Sequence, residues 1–209
     1  MGTGDGLRER KKGRTRRAIF EAGIRLFAER GYHETTVADI AAAADIAPRT
    51  FFSYFPAKED VLFAGIDDRI RLLASELELR KPGESLIDAA RRVIERLVMV
   101  TNWDDLAGEA AEIRWQLITG RPSLQGALLL RLRAAEEGLA ARLHAAYPQE
   151  LDGIVAAAIV GMFTSGLRAV PRPQSGTSVS PRKQRAAVER LLLLAERGLS
   201  GMIDEGETT

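Results

Sequence analysis

Residues 36–58, TVADIAAAADIAPRTFFSYFPAK, decide the fold of this chain. Val37, Ile40, Ala41 and Ala44 recur at i, i+3, i+4 and i+7, the one-sided apolar stripe of an amphipathic helix. Thr36 stands where its hydroxyl can accept from the backbone N–H near Asp39, and the Asp39 carboxylate falls near the positive end of the helix dipole. The pattern breaks at Asp45 and resumes at Pro48, whose missing N–H would have no helical partner in a first turn anyway. Two short helices joined by a tight turn are expected, the arrangement whose second helix enters a DNA major groove.

Steps of ~100° from Arg49 place Thr50, Ser53 and Tyr54 within a ~140° polar sector, with Phe51, Phe52 and Phe55 at about 200–300°. The expectation is a polar reading face and an aromatic packing face. An ordinary helical hairpin with a solvated polar face has the same periodicity. Charge bears on the choice. Residues 1–58 carry 11 Lys and Arg against 7 Asp and Glu, net +4, whereas the remaining residues carry 19 against 22, net −3. Arg8, Arg10, Lys11, Lys12, Arg14, Arg16 and Arg17 cluster ahead of and inside the first helix, where they could meet phosphates; a solvated basic tail is the alternative for residues 1–12.

The run from Ile19 through Phe63 resembles the N-terminal domain of TetR-type transcriptional regulators. The residues carrying the resemblance are Gly31-Tyr32, Thr35-Thr36-Val37, Ile40-Ala41, Thr50 through Phe55, and Lys58 with Val61-Leu62. The resemblance implies that Thr35 or Thr36, together with Lys58, touches phosphates, while Arg49, Thr50, Ser53 and Tyr54 approach bases or backbone. Arg49 is the strongest base-reading candidate, since a guanidinium can hold guanine O6 and N7 together. Three departures stand out. Phe52 replaces a usual Tyr and is expected to pack rather than to contact DNA. Asp45 replaces a usual turn glycine and is expected to hold left-handed backbone angles. Ala47 replaces a usual Ser or Thr and forgoes a cap worth ~1 kcal/mol.

The 209 residues are 45% hydrophobic, enough for a substantial core, and contain no cysteine, which excludes disulfides, zinc-thiolate sites and cysteine nucleophiles. The polar, charged start carries no secretory pattern, so a cytoplasmic location is expected. Beyond Lys58 every readable segment is helical, near 58–79, 84–100, 104–119, 123–146, 150–169 and 182–199. The expected fold is all-α with about nine helices. A flexible basic arm (1–12) and a three-helix DNA-binding domain (13–57) precede a helical effector-binding and dimerisation domain (58–203), with a flexible loop at 170–181.

No nucleophile motif or Gly-rich phosphate loop appears, and neither an enzyme, a metal site nor a bound cofactor is expected. For an effector pocket the bulky candidates are Met99, Trp103, Trp115, Met162 and Phe163, with Arg114 as the cation that an anionic effector would meet. A surface position for Arg114 is the simpler expectation. Gly153, Ala157 and Gly161 form a small-residue ridge, and Val188, Leu191, Leu192 and Ala195 an apolar stripe. The family resemblance implies that these two helices pair with their copies in a two-fold dimer, although both stripes could instead complete the monomer core. The expected partners are operator DNA, a second copy of the chain and a small-molecule effector, with repression as the expected outcome. Activation by the same fold, or a small-molecule-binding or interaction protein that has lost DNA recognition, are the alternatives.

Overall fold

The computed structural model describes residues 3–100, 109–169 and 180–206. Helix α1 (Thr3–Arg30) starts well before residue 13, so residues 3–12, expected as a flexible arm, continue the first helix. It stops at Gly31, whose φ of +93° suits glycine and whose N–H reaches Phe27 O at 3.2 Å. A Cβ on Gly31 would sit 2.6 Å from Glu34 Oε2.

Helix α2 (Val37–Ala43) begins with the expected reciprocal cap. Thr36 Oγ1 accepts from Asp39 N at 3.1 Å, and Thr36 N donates to Asp39 Oδ2 at 2.9 Å, satisfying two otherwise orphaned donors. The turn into α3 (Pro48–Phe51) passes through Asp45 at φ +53°, the left-handed angle that the missing glycine would have taken without strain. Ala47 caps α3 with no side-chain hydrogen bond. Helical bonding continues past Phe51, since Phe55 N donates to Phe51 O at 3.0 Å.

Helices α4 (Asp60–Glu78), α5 (Leu86–Val100), α6 (Glu109–Thr119), α7 (Pro122–Ala146), α8 (Gly153–Ala169) and α9 (Pro181–Gly206) follow. The described residues thus hold nine helices in the order anticipated, with α9 running past residue 199. Residues 101–108 and most of the loop expected at 170–181 lie outside the described residues. Among the described residues no helix is long and apolar enough to cross a membrane.

Two apolar cores organise these helices. The first gathers Ile19, Phe27, Ile40, Phe51, Phe55, Leu62 and Phe63, then continues through Trp115, Ile118, Leu124 and Leu128. Each such side chain contributes about 1.5–3 kcal/mol by leaving water. Gly23 lets α1 and α4 approach, because a Cβ there would lie 2.8 Å from Val61 Cγ1. The front three helices therefore share their core with α4, α6 and α7, and packing does not break at residue 58. The second core collects Leu73, Leu86, Leu97, Leu139, Tyr147 and Val160 from α4, α5, α7 and α8 and from the residue that ends α7. Helix α9 packs across α5 and α8.

Candidate nucleic-acid interface

The helix expected to read DNA is held from beneath. Phe51 and Phe55 are fully buried, and Arg16 reaches across from α1 to donate from Nη1 to Tyr54 O at 3.1 Å. The same guanidinium lies 4.3 Å from the Phe55 ring and pairs through Nη2 with Asp68 Oδ1 at 3.3 Å. Arg16 thus ties α1, the end of α3 and α4 together, and is removed from the cluster of cations expected to meet phosphates. Arg8, Arg10, Lys11, Lys12, Arg14 and Arg17 remain exposed along α1.

Arg49, Phe52 and Ser53, spaced i, i+3 and i+4, form an exposed stripe, with Pro48 exposed at the helix start and Pro56 exposed just beyond its end. Thr50 and Tyr54, placed on the reading face by angle alone, are half-buried on its flank, and Tyr54 packs against the first core. Phe52 departs from expectation. It is 56% exposed, because it lies about 60° from both Arg49 and Phe55 around the helix and the core fills the other side of Phe55.

Two expected phosphate contacts are also relocated by the structure. Thr35 is fully buried, with its hydroxyl donating to Gly31 O at 2.7 Å and lying 3.2 Å from Leu26 O, so it closes the α1–α2 corner. Thr36 stays exposed, but its hydroxyl is engaged in the cap, at 2.5 Å from Asp39 Oδ2. That bond, with Arg30 nearby, holds the Asp39 carboxyl below its ordinary value. Lys58 Nζ donates to Tyr32 O at 2.7 Å and Thr35 O at 3.0 Å, and it lies 4.4 Å from the Tyr32 ring. Lysine at this position staples the α1–α2 loop to the start of α4. Burial pushes the Tyr32 phenol up to about 12, with Glu59 adding to the shift.

The front helices are joined to the rest through α4 and α7. Asp60 Oδ2 accepts from Ala57 N at 2.9 Å, and Asp60 Oδ1 pairs with Arg131 Nη2 at 2.5 Å. The second amino group of Arg131 meets Asp67 Oδ2 at 2.6 Å, and its guanidinium covers Phe63. Arg121, just ahead of α7, lies 5.4 Å from the Tyr32 ring. These long-range links had no signal in local periodicity, since their partners stand tens of residues apart.

The effector candidates are not brought to one place. Arg114 is 1% exposed rather than on the surface, and Trp115 beside it belongs to the first core. Arg114 Nη1 and Arg69 Nη1 both approach Gly65, at 3.6 and 3.5 Å from where a Cβ would stand. Phe163 packs against the second core, whereas Met99 and Met162 are exposed at the surface of the chain, since α5 and α8 turn those positions away from both cores. Trp103 lies outside the described residues.

Of the dimer candidates, Gly153 and Gly161 have open space at their Cα hydrogens, and Ala157 is exposed. Val188 instead is buried within the chain, and Leu191 is half-buried against Gly166 of α8, where a Cβ would overlap it. Both residues complete the monomer because α9 rolls that stripe onto α5 and α8. The side chains of Leu192 and Ala195 lie outside those described. Leu193 and Leu194 are exposed beside them, and Ile154 and Met162 extend the open face of α8.

Residues 19–64 match the family described as bacterial regulatory proteins, tetR family. The HTH-type transcriptional regulator TcmR of Streptomyces glaucescens is 33% identical over 145 residues, covering 68% of this chain and 64% of that protein. The HTH-type transcriptional repressor DhaR of a Mycobacterium species is 37% identical over 67 residues, 30% of this chain and 34% of the relative. The chain therefore spans less than two thirds of the length of either curated relative. A TetR family transcriptional regulator from Pseudomonas syringae pv. tomato shares the fold, with a TM-score of 0.50 at 22% identity over 87% of this chain and 94% of that one.

Proposed function

We propose that this chain, built on a TetR-type head, is a homodimeric DNA-binding transcriptional regulator that represses from a near-palindromic operator and is released by a small-molecule effector. The exposed stripe bearing Arg49 and Ser53, on a reading helix anchored by buried Phe51 and Phe55, carries this reading. The net charge of +4 over residues 1–58 suits that face to a phosphate backbone. Arg49 reads a guanine through O6 and N7, while Thr36 and Ser53 lie close to the backbone. Thr50 and Tyr54 contribute from the flank, and Thr35 and Lys58 act by holding the head together.

The open face of α8, with Ile154, Ala157, Gly161 and Met162, pairs with its copy together with Leu193 and Leu194 of α9. The chain acts as a cytoplasmic binding protein rather than a catalyst. Its effector is received among α4, α6 and α7, near Arg114 and Trp115. A shift of α7 there would pull on Asp60 and Asp67 through Arg131, tilting α4 and displacing Arg49. A coupling of ~1–3 kcal/mol would change operator affinity ~5- to 150-fold. Repression is favoured over activation by the likeness to a named repressor.

Retardation of the DNA upstream of the protein's own gene, with and without extracted metabolites, tests the reading. Sequence-selective retardation relieved by an extract is expected. Arg49→Ala should lose ~1–3 kcal/mol of discrimination at one base pair per half-site. Failure of the wild-type chain to retard any DNA selectively would overturn the proposal.

A further inference from the structure

We infer that Phe52 is a specificity-determining residue that reads the C5-methyl group of a thymine in the major groove. This rests on the DNA-binding reading above and adds an apolar contact to it. The ring is 56% exposed, while its neighbours Phe51 and Phe55 are buried at 0% and 1%. It shares the exposed stripe with Arg49 and Ser53, so any groove that receives Arg49 also receives Phe52. Its orientation is held by the Phe51 ring, whose centroid lies 5.6 Å away at an interplanar angle of 83°. A large apolar ring so placed in a basic head has no hydroxyl with which to bond a phosphate.

Of the groups that bases present in the major groove, the thymine methyl is the apolar one, and the others donate or accept hydrogen bonds. A phenyl ring set against guanine O6, cytosine N4 or adenine N6 would strip water from a polar group and return no bond. Against the methyl it removes apolar surface from both partners. Arg49 and Phe52 are separated by about 4.5 Å along the helix axis, a little more than one base step of about 3.4 Å. The thymine therefore falls within two base pairs of the guanine that Arg49 reads.

The full-length protein is first used to select binding sites from randomised duplex DNA. Fluorescence anisotropy then compares each selected site with versions in which single thymines are replaced by uracil, which removes the methyl and nothing else. At one thymine per half-site, uracil should weaken wild-type binding about fourfold, the factor for one buried methyl group. Phe52→Ala should bind the thymine and uracil versions equally, and Phe52→Leu should retain part of the difference. Thermal unfolding and binding at thymine-free phosphate flanks check that each variant keeps the head intact; Phe52→Tyr, which keeps the ring, must retain the thymine preference. Selected sites indifferent to uracil, or a uracil penalty that persists in Phe52→Ala, would overturn the inference and leave the regulatory reading standing. Failure of wild type to enrich any sequence would sink both.

Discussion

Replacing Lys58 by Met separates a staple from a phosphate ligand, because it keeps the apolar stem over Tyr32 and removes the charge and its donors. Lys58 Nζ donates to two carbonyls, at 2.7 and 3.0 Å, with a third, His33 O, at 3.5 Å. A hydrogen bond from a charged donor contributes about 1.5–3 kcal/mol, and the half-buried position scales the pair to a total of about 2–3 kcal/mol. Urea unfolding at neutral pH should show that loss. For a chain of this length it corresponds to a fall in melting temperature of about 5–10 °C. Operator affinity should fall too, because Tyr32 and the α1–α2 corner set the angle of the reading helix.

The salt dependence of binding then distinguishes the two roles. Removing a cation that neutralises one phosphate lowers the slope of log K against log salt by about 0.9, or about 1.8 for two subunits. A staple that touches no phosphate leaves the slope unchanged while the affinity drops. Two results together would refute the structural role derived from these distances: a Lys58→Met protein within about 0.5 kcal/mol of wild-type stability, and a slope lower by about 1.8.

Other perturbations test neighbouring parts of the head and its supports. Thr36→Ala should cost about 1 kcal/mol by leaving Asp39 N without its side-chain acceptor, whereas Thr36→Ser should restore most of it in the same urea titration. Arg131→Met should destabilise by about 1–3 kcal/mol, since it strands the Asp60 and Asp67 carboxylates. NMR titration should then find Asp67, already pushed up by burial, titrating higher still. Glu84 is held down to about 2, first by its hydrogen bond from Arg92, against an ordinary value of 4.5. The stabilisation it supplies is complete above pH 4.5 and disappears as pH falls toward 2. Urea midpoints should therefore drop across that window more steeply for wild type than for Glu84→Gln, and parallel curves would sink the assignment.

Local relations carried the parts of the fold that were legible in the sequence. The stripe from Val37 to Ala44, the Thr36–Asp39 cap and the left-handed turn at Asp45 each depend on residues within a few positions of one another. Regular backbone geometry brings such residues together whatever surrounds them. The same is true of the later helices broken at Lys81-Pro82-Gly83, Gly120-Arg121-Pro122 and Tyr147-Pro148. Arg49 and Ser53 follow from spacing too, since 3.6 residues per turn fixes their common direction.

The direction of a helix face toward core or water is a different kind of fact. Phe52 lies midway between an exposed and a buried neighbour, and only the position of α1 and α4 decides which it joins. Thr35, Lys58, Arg16 and Arg114 are all polar, and their identity suggested contact with a partner or solvent. Each is instead drawn inward, Thr35 by the carbonyls of Gly31 and Leu26 just before it, Lys58 and Arg16 by groups remote in sequence: Tyr32 for Lys58, Tyr54 and Phe55 for Arg16. The sequence by itself determined most of the helices, the Thr36–Asp39 cap and the common direction of Arg49 and Ser53. The tertiary structure alone decided which side chains their helix shows to solvent and which it uses to hold its own frame, because solvent exposure is set by how separate helices pack rather than by the spacing within one.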